Sequence, residues 1–76
     1  MDSATIEQMI CAGLPGAEVS VQGEDGVHFE AKVICASFRG KPTLQRHRMV
    51  YATLGEMMGR EIHALALQTD VPVETT

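Results

Sequence analysis

Apolar residues recur along this chain in two rhythms, one near 3.6 and one of two, and the switches between them mark its elements. In SATIEQMICAGL, Ile6, Met9, Ile10 and Leu14 keep helical spacing. Ser3 or Thr5 can cap this segment, Thr5 with Gln8 fits a capping box, and GLPG stops it. The rhythm changes in AEVSVQ, with Val19 and Val21 on one face, and continues in VHFEAKVI, with Val27, Phe29, Ala31 and Val33 on one face. Joined by GEDG, the two segments predict a hairpin. SFRGKP reads as a turn or short helical turn. TLQRHRMVYATLGEMM, free of proline and ending at Gly59, predicts a helix of about four turns. A last strand is predicted in EIHALALQT, with Ile62, Ala64 and Ala66 on one side and His63, Leu65 and Leu67 on the other.

The order α-β-β-α(short)-α-β, without internal repeat or linker, predicts an α+β fold: a three-stranded mixed sheet with helices packed on one face. Roughly 25 residues including a helix separate the second and third strands, enough for a crossover that lets them run parallel as neighbours. Parallel neighbours begin at the same edge of the sheet. Here the second strand opens at His28 and the third at His63.

Composition narrows the class. Seventy-six residues suit one domain, 1–76, with a core over about 4–70 and a polar tail at 71–76. An apolar share of 45% argues for a folded globule over a disordered chain. No stretch approaches the roughly 18 apolar residues of a membrane span, and MDSATIEQ lacks the basic start of a signal peptide. A soluble, cytoplasmic protein without a membrane partner is expected. Cys11 and Cys35 are too few for a disulfide framework or a close-spaced metal motif, and each reads as a small buried apolar residue. Cys35 has the strand parity opposite to Val33, which leaves exposure to oxidants open.

Ten acidic against six basic residues, a net charge of -4, weigh against nucleic acid as the main partner. Yet Arg39, Lys41, Arg46 and Arg48 are four of those six cations and fall within ten residues. They can form a basic patch or a merely solvated face. Counting along the helix from His47, positions 50, 51, 54 and 58 share its face, so His47 lies on the stripe of Val50, Tyr51, Leu54 and Met58. A core-edge histidine is favoured there over a ligand or base. No cysteine beside a base, spaced carboxylate pair or phosphate-cradling glycine loop points to an enzyme.

The element order resembles KH-type RNA-binding folds, which clamp a backbone with a GxxG loop between two helices. GLPG links a helix to a strand, GEDG sits at a hairpin tip with Glu24 and Asp25, and the turn where the clamp belongs reads FRGK. Together VHFEAKVI, SFRGKPTLQRHRMVY and IHALALQT resemble the BolA family over about residues 4–72. The pattern that carries the likeness is Phe-x-Gly-x(5)-Arg-His-Arg-x-Val-Tyr followed by an Ile-His-Ala strand.

That resemblance implies a class II KH-like fold and a non-enzymatic partner of monothiol glutaredoxins of the Cys-Gly-Phe-Ser type, with a [2Fe-2S] cluster shared between the two proteins. The glutaredoxin side supplies its cysteine and glutathione. The BolA side supplies the histidine of the Ile-His-Ala strand and a His or Cys from the loop before the second strand, here His63 and His28. The implied role is iron-sulfur cluster trafficking or iron and redox regulation. Two cysteines cannot complete the four ligands of such a cluster, whereas two histidines on one iron is a known arrangement. The isolated chain is therefore expected to hold no cofactor and to be a monomer or weak homodimer. The family resemblance also implies an alternative role in DNA binding, transcriptional regulation and stress response, placed at the basic turn 39–48 with Arg39, Lys41, Arg46 and Arg48. His47 and Tyr51 are expected to be structural. Family members commonly continue into a helix near a Pro-Glu-x-Trp segment; the sequence here reads VPVETT, so that helix and its contacts are not expected.

Overall fold

Asp2, rather than Ser3 or Thr5, caps the first helix, α1 (Ser3–Gly13): its extended backbone precedes the helix and its carboxylate accepts the Thr5 backbone N–H at 2.8 Å. The computed structural model in which this is seen describes residues 2–62 and 64–73. Ile6, Ile10 and Leu14, four apart, are the buried stripe of α1 and its cap. The Leu14 N–H closes the helix onto the Ile10 carbonyl at 2.9 Å. Cys11, expected to be buried, is exposed, because the buried stripe of α1 uses positions 6, 10 and 14 and position 11 lies off it.

The sheet has the order β1-β2-β3, with β1 (Glu18–Gln22) antiparallel and β3 (Ala64–Asp70) parallel to the central β2 (His28–Ile34). Alternation decides which face each residue takes. Phe29, Ala31 and Val33 turn toward the helices and are buried, while His28, Glu30 and Lys32 between them are exposed. The helices cover one face only. Ser20, Gln22, Glu30, Lys32, Ala66 and Gln68 border a shallow groove of ≈ 360 Å³ on the other. Cys35, whose N–H donates to the Asp70 carbonyl at 3.1 Å, is buried, so its strand parity does not expose it.

Between β2 and β3 the chain makes a 3-10 turn (Ala36–Phe38), helix α2 (Thr43–Leu54) and a second 3-10 turn (Gly55–Met57). Helix α2 ends at Leu54 and not at Gly59. Gly55 takes φ 53°, a left-handed conformation that L side chains resist, and the chain leaves the helix there. The following loop closes tightly: the Ile62 N–H bonds the Met57 carbonyl at 2.9 Å, and the Gly59 N–H bonds the Ile62 carbonyl at 2.9 Å. Ile62 is fully buried, whereas Ala64 and Ala66 are exposed and Leu65 is buried. Ile62 thus does not share a face with Ala64 and Ala66. Its bridge to Met58 belongs to the turn, which resets the parity before β3 begins.

Candidate functional site

The β1–β2 connection is organised by one side chain. Asp25 Oδ1 accepts the backbone N–H groups of Val27 at 3.0 Å and His28 at 2.8 Å, an arrangement to which aspartate in turns is suited. Its Oδ2 lies 2.5 Å from Nδ1 of His28. Both side chains are more than half exposed, at 52% for Asp25 and 62% for His28. The hydrogen bond to the His28 side chain, followed by those from the His28 and Val27 backbone, holds the Asp25 carboxyl well below the usual carboxylate range. A carboxyl that titrates below its unfolded value of about 3.9 contributes stability fully above that pH and loses it as pH falls through the folded value. The Val27 and His28 amide resonances should therefore report loop melting only below pH of about 3.9 in an acid titration. A transition centred on that ordinary value would contradict the bonded geometry.

Asp25 was not among the residues expected from the sequence to matter, since GEDG read as a charged hairpin tip. The signal was there: an aspartate in a turn, three residues before a histidine, places a carboxylate within reach of the ring.

His28 opens β2 and stands in register with Ala64 at the start of β3, whose N–H donates to the Val27 carbonyl at 3.3 Å. The parallel pairing expected for these strands is present, and it brings the two strand starts to one edge. His63, the other expected ligand, lies outside the described residues. A cleft of ≈ 570 Å³ on the open side of the sheet is lined by Gln22, Asp25, His28, Glu30, Ala64 and Ala66 among others. Alanine on β3 keeps this cleft low-walled beside the imidazole. Nε2 of His28 makes no hydrogen bond among the described residues.

This geometry can be compared with what a metal centre requires. Metal-ligating histidines usually place their second ring nitrogen on a carboxylate or carbonyl, which orients the ring. His28 has that support. Among the described residues no group of three His, Cys, Asp or Glu is arranged to hold a metal ion, and Cys35 is buried in the core. The arrangement fits a histidine that completes a centre supplied largely from elsewhere.

Gly23 makes the close turn into this site. A Cβ there would sit 2.4 Å from Cδ1 of the buried Phe29 ring and 2.9 Å from the His28 carbonyl oxygen. Gly23→Ala is expected to cost about 1–3 kcal/mol through overpacking. Denaturant unfolding together with the His28 amide shift checks this; unchanged stability and an unmoved His28 would refute the close approach.

The basic turn is built differently. Arg46 is half-buried, and its Nε donates to the Lys41 carbonyl at 2.7 Å, tying the first turn of α2 back to the segment before it. One of the four expected nucleic-acid cations is thus engaged in the fold. Arg39 and Arg48 are exposed and Lys41 is half-buried. His47, half-buried, meets Tyr51 edge to face with centroids 6.5 Å apart and planes at 84°, as a core-edge pair one helical turn apart would. Within the Arg-His-Arg stretch, Arg46 and His47 thus make contacts inside the fold while Arg48 is exposed.

A family model described as BolA-like protein matches residues 15–74. BolA-like protein 1 of Homo sapiens is 45% identical over 47 residues, which cover 62% of this chain and 34% of that protein. The DNA-binding transcriptional regulator BolA of Escherichia coli (strain K12) is 45% identical over 42 residues, covering 55% of this chain and 40% of that one. The matches thus span well under two thirds of these relatives' lengths. A solved structure of a bolA protein homologue from Coxiella burnetii is similar with a TM-score of 0.85 and 46% identity, covering 95% of this chain and 92% of that one. With the sequence pattern and the mixed sheet under two helices both shared, the chain belongs to the BolA family.

Proposed function

We propose that this protein is a non-enzymatic adaptor that docks on a monothiol glutaredoxin and shares a [2Fe-2S] cluster with it through His28 and His63, in iron-sulfur trafficking or iron and redox regulation. The observation that carries the reading is the exposed His28 ring, held by Asp25 at the edge where β2 and β3 begin together. When bound, such a cluster supplies one-electron redox chemistry and iron and sulfide for transfer. The chain's own contribution is to hold the His28 imidazole ready at the cleft and to leave room beside it, since Ala64 and Ala66 present little bulk. Cys11 and Cys35 take no part: one is on α1 and the other is in the core.

Mixing the protein with a monothiol glutaredoxin, glutathione and a reconstituted cluster, followed by visible circular dichroism, tests this. The expected result is a new spectrum that neither protein gives alone and that His63→Ala abolishes. A spectrum identical to that of the glutaredoxin alone sinks the reading.

A second reading, DNA binding through the turn at 39–48, is supported by the function stated in the name of the Escherichia coli relative and by the exposed Arg39 and Arg48. On this reading, duplex binding falls steeply between about 50 and 200 mM salt and is lost on Arg48→Glu with Lys41→Glu. Arg46 is left intact in that test because its side chain supports the helix start. Binding that ignores salt, or survives the double charge reversal, removes the reading.

A further inference from the structure

We propose that Asp25 is the positioning residue of the His28 site: it holds the imidazole in the Nδ1–H tautomer, so that Nε2, which meets no hydrogen-bond partner among the described residues, carries the ring lone pair available to a metal. The ligating part of this inference rests on the reading of His28 as a cluster ligand; the tautomer part stands on the isolated chain.

The geometry is over-determined. Two backbone N–H groups, from Val27 and His28, fix Oδ1 of Asp25, which leaves Oδ2 aimed at Nδ1. An ionised carboxylate only accepts hydrogen bonds, so at 2.5 Å the ring nitrogen facing it must carry the proton. A neutral imidazole has one N–H and one lone pair, and placing the proton on Nδ1 puts the lone pair on Nε2. Without a partner, histidine favours the opposite tautomer, in which the outward nitrogen is blocked by its own proton. The carboxylate therefore does two things at once: it orients the ring over the cleft edge and selects the nitrogen that can bind. Because both side chains are exposed, the effect concerns which atom is presented and contributes little to holding the fold together.

Asp25→Asn separates these roles. The asparagine carbonyl can still accept the Val27 and His28 N–H groups, while its amide NH₂ now faces Nδ1 and donates to it. The ring proton must then move to Nε2. Two-bond proton–nitrogen correlation spectra of the isolated protein, recorded at a pH where the His28 shifts no longer change, read the tautomer directly. The expected result is Nδ1–H for the wild type and Nε2–H for Asp25→Asn, with the remaining backbone amides in place. A wild-type ring in the Nε2–H form, or a tautomer unmoved by Asp25→Asn, overturns the proposal.

A second measurement addresses the ligand. With cluster-loaded monothiol glutaredoxin and glutathione, Asp25→Asn should weaken the heterocomplex roughly 10- to 100-fold, the usual cost of losing a ligand's supporting carboxylate. Inversion of the tautomer with unweakened binding overturns the positioning role. If the wild type itself gives no heterocomplex, the cluster reading and the ligating role fall together, while the spectra of the isolated chain still decide the tautomer.

Discussion

Phe38→Ala is expected to destabilise the protein by about 3–5 kcal/mol, the cost of emptying a large aromatic site in a core. Phe38 is the largest of the fully buried side chains and sits on the short turn that carries the chain from β2 to α2. Its N–H bonds the Cys35 carbonyl at 3.1 Å and its carbonyl accepts the Lys41 N–H at 3.0 Å, so the backbone around it is held while the ring is buried in the same core cluster as Ile6, Ile10, Val33, Val50 and Leu54. Domains are stable by only about 5–15 kcal/mol in total, and small ones tend toward the low end. The substitution should therefore leave a substantial unfolded fraction under mild denaturant. Urea unfolding measures it, and a loss below about 1 kcal/mol would show that the turn is not anchored by this ring. The same anchoring explains why the basic segment is positioned as it is: the Phe-x-Gly element sets the entry to α2, and Arg46 then ties back to Lys41.

The second large effect is on function. His28→Ala should leave the fold intact, because the side chain is exposed and is not part of the core cluster; surface changes of this kind usually stay within about 0.5 kcal/mol. Its effect on the cluster-bearing complex should be far greater. Supporting groups of metal ligands are typically worth about 10- to 100-fold in affinity, and removing the ligand itself should cost at least the lower of those figures. Titrating the variant into cluster-loaded glutaredoxin and following visible circular dichroism gives the comparison. A complex of wild-type affinity and unchanged spectrum would exclude His28 as a ligand, and the basic turn would become the surface to pursue.

What could be read before the structure was known follows from how local each signal is. The alternation Phe29, Ala31, Val33 names its own buried face, and the helix-containing crossover after it implies parallel pairing, so the meeting of the β2 and β3 starts was legible. Helix α2 was drawn four residues too long, stopping at Gly59 instead of Gly55, because the two glycines look alike in a sequence and Met57 and Met58 continue an apolar pattern. Which glycine turns the chain depends on where Ile62 must land in the core. The same packing demand reset the parity between Ile62 and Ala64, which extrapolating a strand backward could not reveal. Arg46 counted as a surface cation until its Nε was found on the Lys41 carbonyl. Asp25 was missed for a related reason: charge in a hairpin suggests solvation, and only the turn geometry shows that both of its oxygens are used.

The most direct test of ligation is pulsed electron paramagnetic resonance on the reduced heterocomplex, with nitrogen-15 histidine incorporated only in this protein. Shared coordination predicts strong nitrogen-15 couplings to the cluster, one set of which disappears in His28→Ala while the glutaredoxin remains bound. A reduced cluster signal without nitrogen-15 coupling would contradict the central claim outright.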